Sequence, residues 1–325
     1  MGASASTTRQ RILLDCDPGH DDAAAMVVAA HYGDLVGVTT VGGNAPLADV
    51  TTNALLTAQI FGIDVDVHPG CDRPLVAEPL NAPEVHGVSG FAGPSLPTLE
   101  RTASTVGAIE YIIETIRAED GLWLVPTGPL TNIAMVIRRA PDVVDRVAGI
   151  SFMGGSAEGG NRTAAAEFNA LVDPEAVKVV VDCGARIVMS GLDLTRQFVV
   201  DDRLADDLAA LGSTGALVFA DLIRAYLDKA EERGLPRRGG LHDPCAVLAV
   251  THPEAIERTA RPVDVELGGR LTRGMTVVDR RPPANAAGRS STDRRDANVE
   301  HCHTLDHDRC RQLFLDAVAA LGSAS

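Results

Sequence analysis

Between Asp15 and Asp22 the chain reads DCDPGHDD, four aspartates in eight residues, directly after the apolar run ILL. Two carboxylates that share a site normally force one of them to take up a proton. Asp21 and Asp22 fall in the first turn of a helix, DDAAAMVVAAHY, where free N–H groups and the dipole favour negative charge by about 0.3 to 1 kcal/mol each. That is too little for four neighbours. An ionised cluster therefore calls for a cation, and oxygen-only donors select a hard one, Ca²⁺ or Mg²⁺. The loop is not an EF-hand, because Gly19 and Met26 occupy the fifth and twelfth places where that loop supplies ligands.

Two other readings of the cluster stand beside the cation. Asp22 can cap the helix while the rest are solvated. A strand followed by DxD also resembles phosphatases of the haloacid-dehalogenase type, with Asp15 as nucleophile and Asp17 as acid/base. Pro18 departs from that pattern, and the two lysines, Lys178 and Lys229, sit in no evident phosphate-binding context. Near the C-terminus, His301, Cys302, His303, His307 and Cys310 offer ligands of the sort zinc uses. The same residues read more simply as a half-buried strand, NVEHCH, and a helix capped by Asp306.

Short β-branched runs alternate with helical patterns along most of the chain, which predicts βαβ units and a mainly parallel sheet. Strands are expected near 11–16, 35–41, 122–126, 147–153 and 186–190. Helices are expected over 21–32, 47–61, 104–118, 130–139, 173–182 and 214–232. If ILLDCD is a buried strand, Asp15 and Asp17 sit at its C-terminal end and point to one face. The stretches 68–103 and 154–170 lack periodicity and follow strands, where open α/β sheets place ligands, while 280–297 reads as a polar surface loop. Residues 1–10 are expected to be a disordered tail and 11–325 a single domain.

DCDPGHDDA resembles the inosine-uridine preferring nucleoside hydrolases, and the similarity continues through TTVGGNAP (39–46), VHGVSG (85–90), LVPTGPLTNIA (124–134) and FMGG (152–155). It goes on through AEFNALVDPEA (166–176), LHDPCAV (241–247) and LTRGMTVVD (271–279), so that it spans roughly residues 11–320. The resemblance implies an open, mostly parallel, Rossmann-like α/β sheet flanked by helices. It also implies one Ca²⁺ and cleavage of the N-glycosidic bond of ribonucleosides, with purine and pyrimidine bases both open.

Residue by residue, the resemblance puts the metal ligands at Asp17, Asp22, the Thr127 carbonyl and Asp243. Asp17 is also the implied general base toward the attacking water, and His242 the acid that protonates the departing base. The ribose positions are Asp21, Asn44, Asn161, Glu167 and Asn169, with the backbone around Met153 near the 5′ side. Taken alone, Asn161 in EGGNRT would be an ordinary turn asparagine. His86 and Tyr226 are candidates for base contact, although Tyr226 also fits an apolar position of its helix. His20 matches the family members that lean toward pyrimidines. Residues 229–240 resemble the family's mobile flap only in position.

Forty-four Asp and Glu against 29 Lys and Arg leave a formal charge of −15, which disfavours a nucleic acid polymer as partner. No apolar stretch is long enough for a signal peptide or a membrane span, and six scattered cysteines without a CxxC pair point to reduced thiols, so a cytoplasmic location is expected. The expected partner is a small ribonucleoside, and the family implies a homodimer or homotetramer. A non-catalytic nucleoside-binding protein would use the same ribose contacts but would not require both Asp17 and His242.

Overall fold

In a computed structural model the protein is described over residues 9–91, 93–282 and 295–322. The expected 1–10 tail falls almost wholly outside these residues, as does most of the 280–297 loop. The apolar runs form strands β1 (Arg11–Cys16), β2 (Asp34–Thr40), β3 (Val67–Pro69), β4 (Trp123–Pro126), β5 (Gly149–Met153) and β6 (Ile187–Ser190). Then come β7 (Val199–Val200), β8 (Gly239–Gly240), β9 (Ile256–Arg261), β10 (Val263–Val265), β11 (Thr276–Val278) and β12 (Val299–Leu305). Eight of them make one sheet in the order β3-β2-β1-β4-β5-β6-β12-β9, parallel except for the last pair. Two short antiparallel ribbons, β7 with β8 and β10 with β11, lie outside it.

The intervening helices are α1 (His20–Tyr32), α2 (Leu47–Ile60), α3 (Pro83–His86), α4 (Ala108–Ala118), α5 (Thr131–Arg139) and α6 (Phe168–Val172). They continue with α7 (Pro174–Val181), α8 (Leu192–Thr195), α9 (Asp202–Ala210), α10 (Thr214–Glu232), α11 (Pro244–Thr251) and α12 (His307–Leu321). Side chains alternate along β1: Ile12, Leu14 and Cys16 join the core beneath α1, α2 and α10 to α12, whereas Leu13 joins the core beneath α4, α5 and α7. Helices on both faces explain why these strands are apolar on both sides.

The sheet runs outward in both directions from β1 and β4, so the connection after β1 goes one way and the connection after β4 the other. Ligands in open α/β sheets bind in the crevice at the carboxyl ends of the strands, at such a switch point. DCDPGHDD leaves β1 there and TGPLTN leaves β4 beside it.

The expected elements form with small displacements that have local causes. The helix expected from residue 104 starts at Ala108 because Gly107 stands at its N-cap. The helix expected over 173–182 starts at Pro174, since Asp173 is the cap and accepts a hydrogen bond from Ala176 N. Not anticipated were β3, only three residues long, α9, and α11, whose PCAVLAVT is buried on every side and so has no amphipathic period. The C-terminal His and Cys residues form the strand and helix of the simpler reading. His301 Nε2 lies 2.6 Å from Asp193 Oδ2, His303 Nε2 lies 3.0 Å from Thr259 Oγ1, and Cys302 and Cys310 are buried in the apolar core.

Asp306 accepts a hydrogen bond from Arg309 N at 3.1 Å and so caps α12. Asp306→Ala is expected to cost about 1 kcal/mol in chemical denaturation, and Asp306→Asn to restore most of it. Equal stability of all three proteins would show that the cap contributes nothing.

Candidate active site

Five chain segments converge at the carboxyl edge of the sheet. Asp17 is the first residue beyond β1 and Thr127 the first beyond β4, where Thr127 N extends the ladder by donating to Asp15 O at 2.8 Å. Asn44 comes from the turn after β2, Asp21 and Asp22 from the first turn of α1, and Asp243 from the residue before α11. Asp17, Asp21, Asp22 and Asp243 are all buried, at 6 % exposure or less.

The Asp22 carboxylate accepts hydrogen bonds from Asp17 N (3.1 Å), Gly19 N (3.1 Å), Thr127 Oγ1 (2.8 Å) and Asn44 Nδ2 (3.2 Å). Asp17 Oδ2 accepts from Asn44 N at 2.6 Å, whereas its buried Oδ1 has no hydrogen-bond partner. Two glycines make room for this carboxylate. A Cβ on Gly128 would lie 2.5 Å from Asp17 Oδ1, and one on Gly43 closer still to Oδ2.

Burial, then the neighbouring Asp22 charge, pushes Asp17 well above the ordinary carboxylate range. Asp243 is pushed the same way by burial and by Asp21, Asp22 and Asp17. Asp21, Asp22 and Asp243 present ligand oxygens within 4.8 Å of one another. An oxygen donor set, a partnerless buried oxygen and mutual repulsion fit a hard divalent cation.

Asp15 behaves differently, although it was expected to share a face with Asp17. Its side chain turns into the sheet layer toward α5, where Thr39 Oγ1 donates at 2.5 Å and Asn132 Nδ2 at 2.7 Å. Burial raises its pKa to about 7. None of Asp15, Asp17 and Asp22 lines the cavity directly, but only Asp15 is tied into the sheet layer by Thr39 and Asn132, which speaks against its serving as the nucleophile a phosphatase of the haloacid-dehalogenase type would need.

Above the carboxylates opens a cavity of about 410 Å³, the size of a small-molecule site. Its polar lining includes Asp21, Asn44, Thr127, Glu167, Asn169 and Asp243. Glu167 accepts from Gly155 N, Asn169 N and Ala170 N at 2.9 to 3.0 Å, and burial raises its pKa against these donors. Asn169 Nδ2 donates to Thr127 O at 2.7 Å and to Met153 O at 3.3 Å, which leaves its Oδ1 for a ligand. Asn161 also lines the cavity, and its Oδ1 accepts from Phe168 N at 3.0 Å, so it both shapes the loop and faces the ligand space.

His242, His86, Tyr226 and His20 make another part of the wall. His242 Nδ1 lies 2.7 Å from Thr195 Oγ1, and burial lowers its pKa while Asp21 opposes the change. Tyr226 is no mere core residue of α10, because its ring stacks on His20 at 4.3 Å between centroids. All the expected site residues thus gather at this one edge. Missing from the expectation were Thr195, which fixes the His242 ring, and Arg162, which forms an ion pair with Glu84 across two cavity loops. Thr195 ends the four-residue helix α8 and Arg162 lies in the unpatterned 154–170 stretch, so neither gives a periodic signal.

A switch-point crevice with buried carboxylates, side-chain amides and an imidazole wall is the kind of site an α/β enzyme uses for a small polar ligand. The inosine-uridine preferring nucleoside hydrolase profile matches residues 12–312, and the chain belongs to that family. It is therefore an enzyme that hydrolyses the N-glycosidic bond of ribonucleosides. It is 37% identical to the inosine-uridine preferring nucleoside hydrolase of Crithidia fasciculata, over 96% of this chain and 98% of that one. It is also 37% identical to the pyrimidine-specific ribonucleoside hydrolase RihB of Escherichia coli, over 83% of this chain and 88% of that one. The solved purine-preferring ribonucleoside hydrolase from Gardnerella vaginalis superposes with a TM-score of 0.87 at 27% identity, over 97% of this chain and all of that one.

Neither Gly43 nor Gly128 has a left-handed backbone, so alanine there is limited by space alone. Gly128→Ala is expected to displace the Asp17 carboxylate and lower kcat/KM at least ~10²-fold, the scale on which a small misplacement in an active site is felt. A folded Gly128→Ala protein, judged by circular dichroism, with unchanged kcat/KM would show that the position of Asp17 is immaterial.

Proposed function

We propose that the protein is a Ca²⁺-dependent ribonucleoside hydrolase in which Asp17 is the general base and His242 the general acid. What supports this reading is that the Asp21 and Asp243 carboxylates and an imidazole held by Thr195 line one cavity with Asn44, Glu167 and Asn169, while Asp17 and Asp22 lie buried behind it, both hydrogen-bonded to Asn44. Asp17, Asp22, Asp243 and the Thr127 carbonyl would hold the cation. When bound, it would neutralise the floor and make a water at the site easier to deprotonate.

The residues of the chain have separate tasks. Asp17, held between Gly43 and Gly128, takes a proton from the water that attacks the anomeric carbon directly, through an oxocarbenium-like transition state. Asp21, Asn44 and Asn169 hold the ribose hydroxyls, with Glu167, Asn161 and the Met153 backbone toward the 5′ side. Fixed donors and acceptors of this kind penalise a sugar that lacks a hydroxyl, because they are left unpaired. His242 gives its proton to the leaving base. As an imidazolium His242 carries hydrogen on both ring nitrogens, so Nδ1–H would donate to Thr195 Oγ1 and the proton to be transferred would be the one on Nε2. His86 and Tyr226 wall the base, beside His20.

The relatives' names cover inosine-uridine, pyrimidine and purine preferences. Comparing inosine, adenosine, uridine and cytidine under one condition assigns the preference here. We further propose a cytoplasmic enzyme, in keeping with six free cysteines, of which Cys16, Cys245, Cys302 and Cys310 are buried. The folding unit is residues 11–325, and the assembly is the homodimer or homotetramer that the family resemblance implies.

Elemental analysis of the purified protein is expected to give about one calcium per chain, and chelation to lower both activity and Tm. Full activity after complete removal of calcium would contradict the assignment.

Asp17→Asn keeps the volume but removes the basic carboxylate, so turnover is expected to fall at least ~10² to 10⁴-fold on every substrate. His242→Ala is expected to slow natural nucleosides while nearly sparing p-nitrophenyl riboside, whose leaving group needs no proton. Equal losses on both substrate types would move the acid role away from His242.

A further inference from the structure

Next to the all-oxygen floor lies a second donor set of different chemistry. His20 Nδ1 is 3.3 Å from His86 Nδ1, a contact that a hydrogen bond fills when no ion is bound, and 3.6 Å from Asp21 Oδ1, and the three residues offer ligand atoms that all lie within 4.8 Å of one another. A tetrahedral zinc with bonds of about 2.0 to 2.2 Å holds its ligand atoms roughly 3.3 to 3.5 Å apart. Two of the three separations are already near that spacing. Asp21 Oδ1 is buried without a hydrogen-bond partner, although Asp21 is only 6% exposed.

Two elements supply these groups. His20 and Asp21 open α1, and His86 ends α3. The His86 ring rests on Gly19, where an added Cβ would lie 2.7 Å from its Cε1 and closer to Nδ1, so only glycine allows the approach. His20 stacks on Tyr226 with centroids 4.3 Å apart, and the His86 ring meets it at a tilt with its centroid 5.2 Å away. Two imidazole nitrogens do not suit Ca²⁺ or Mg²⁺, which want oxygen, whereas zinc and its neighbours in the first transition series favour such a set.

We propose that His20, His86 and Asp21 form a binding site for a zinc-type divalent ion, adjoining the hard-cation site and sharing the Asp21 carboxylate with the oxygen cluster of Asp21, Asp22 and Asp243. An ion there takes Asp21 from the ribose and ties His86 down at the base wall, so it inhibits in competition with the nucleoside. This inhibition rests on the ribose role given to Asp21 above, but binding of the ion does not.

The test uses the purified enzyme in excess calcium. Calorimetric titration with Zn²⁺ is expected to show one site per chain, weakened at least ~10-fold by His20→Leu and by His86→Gln, a loss on the scale seen when a metal site's supporting partners are removed. On the unmodified enzyme, Co²⁺ is expected to develop the visible d–d bands of a four- or five-coordinate ion, which reads the site even if a variant misfolds. No zinc binding, unchanged affinity in both variants, or Co²⁺ spectra of an octahedral all-oxygen ion would each overturn the site. Zinc bound through His20 and His86 that inhibits without competing with nucleoside would uphold the site and instead remove Asp21 from ribose binding.

Discussion

Buried like charge is the constraint around which this molecule is built. Two unit charges 4 Å apart repel by about 4 kcal/mol at an effective dielectric constant of 20. The N-terminus of α1 returns about 1 kcal/mol or less per carboxylate. Hydrogen bonds from Gly19, Asn44, Thr127 and the Asp17 amide reduce the cost at Asp22, yet Asp17 and Asp243 are still pushed far up. Protonation or a cation must supply the rest, and protonation would remove the base the hydrolytic reaction needs. The acidic edge therefore makes sense as a cation site for which the folded chain provides the geometry in advance.

That geometry follows from the strand order. Because β1 and β4 are neighbours whose connections leave in opposite directions, their C-terminal loops open a crevice without crossing it. Asp17 and Thr127 occupy equivalent places one residue beyond each strand. The glycines Gly43 and Gly128 come from the loops after β2 and β4, three and two residues beyond the strand ends, so both sides of the Asp17 carboxylate are set close to the sheet edge. A site on rigid elements holds its geometry more closely than one on loops.

Much of this was legible in the chain itself, for a physical reason. The strands β1, β4, β5 and β6 are short, continuous apolar runs, and the aspartates crowd into eight residues, so both signals are local. The motif order then carried the more distant residues Asn44, Glu167, Asn169 and Asp243 to one place. What stayed hidden was relational. Asp15 and Asp17 have the same parity, but only Asp17 leaves the strand, and Asp15 is instead drawn to Thr39 and Asn132, 24 and 117 residues away. The contact between Thr195 and His242 spans 47 residues, and that between His20 and His86 spans 66, with no periodicity to announce either. The helix α11 escaped because burial on all sides erases the amphipathic pattern.

The position of α11 also bears on how acid and base chemistry can coexist in so small a volume. His242 and Asp243 are consecutive and lead into α11, whose side chains are packed against β5 and β6, and Ser151 Oγ of β5 donates to Ala246 O at 2.7 Å. The proposed acid and a proposed cation ligand therefore share one anchored backbone, and neither can shift without the other. Burial works against a protonated His242, and the Asp21 carboxylate works for it. A cation on the floor would reduce the negative field that favours the imidazolium, which sharpens the acid at the cost of its population. Thr195 matters in that balance because it engages one ring nitrogen of His242, which would leave the other to carry the proton that the proposed acid transfers to a leaving base.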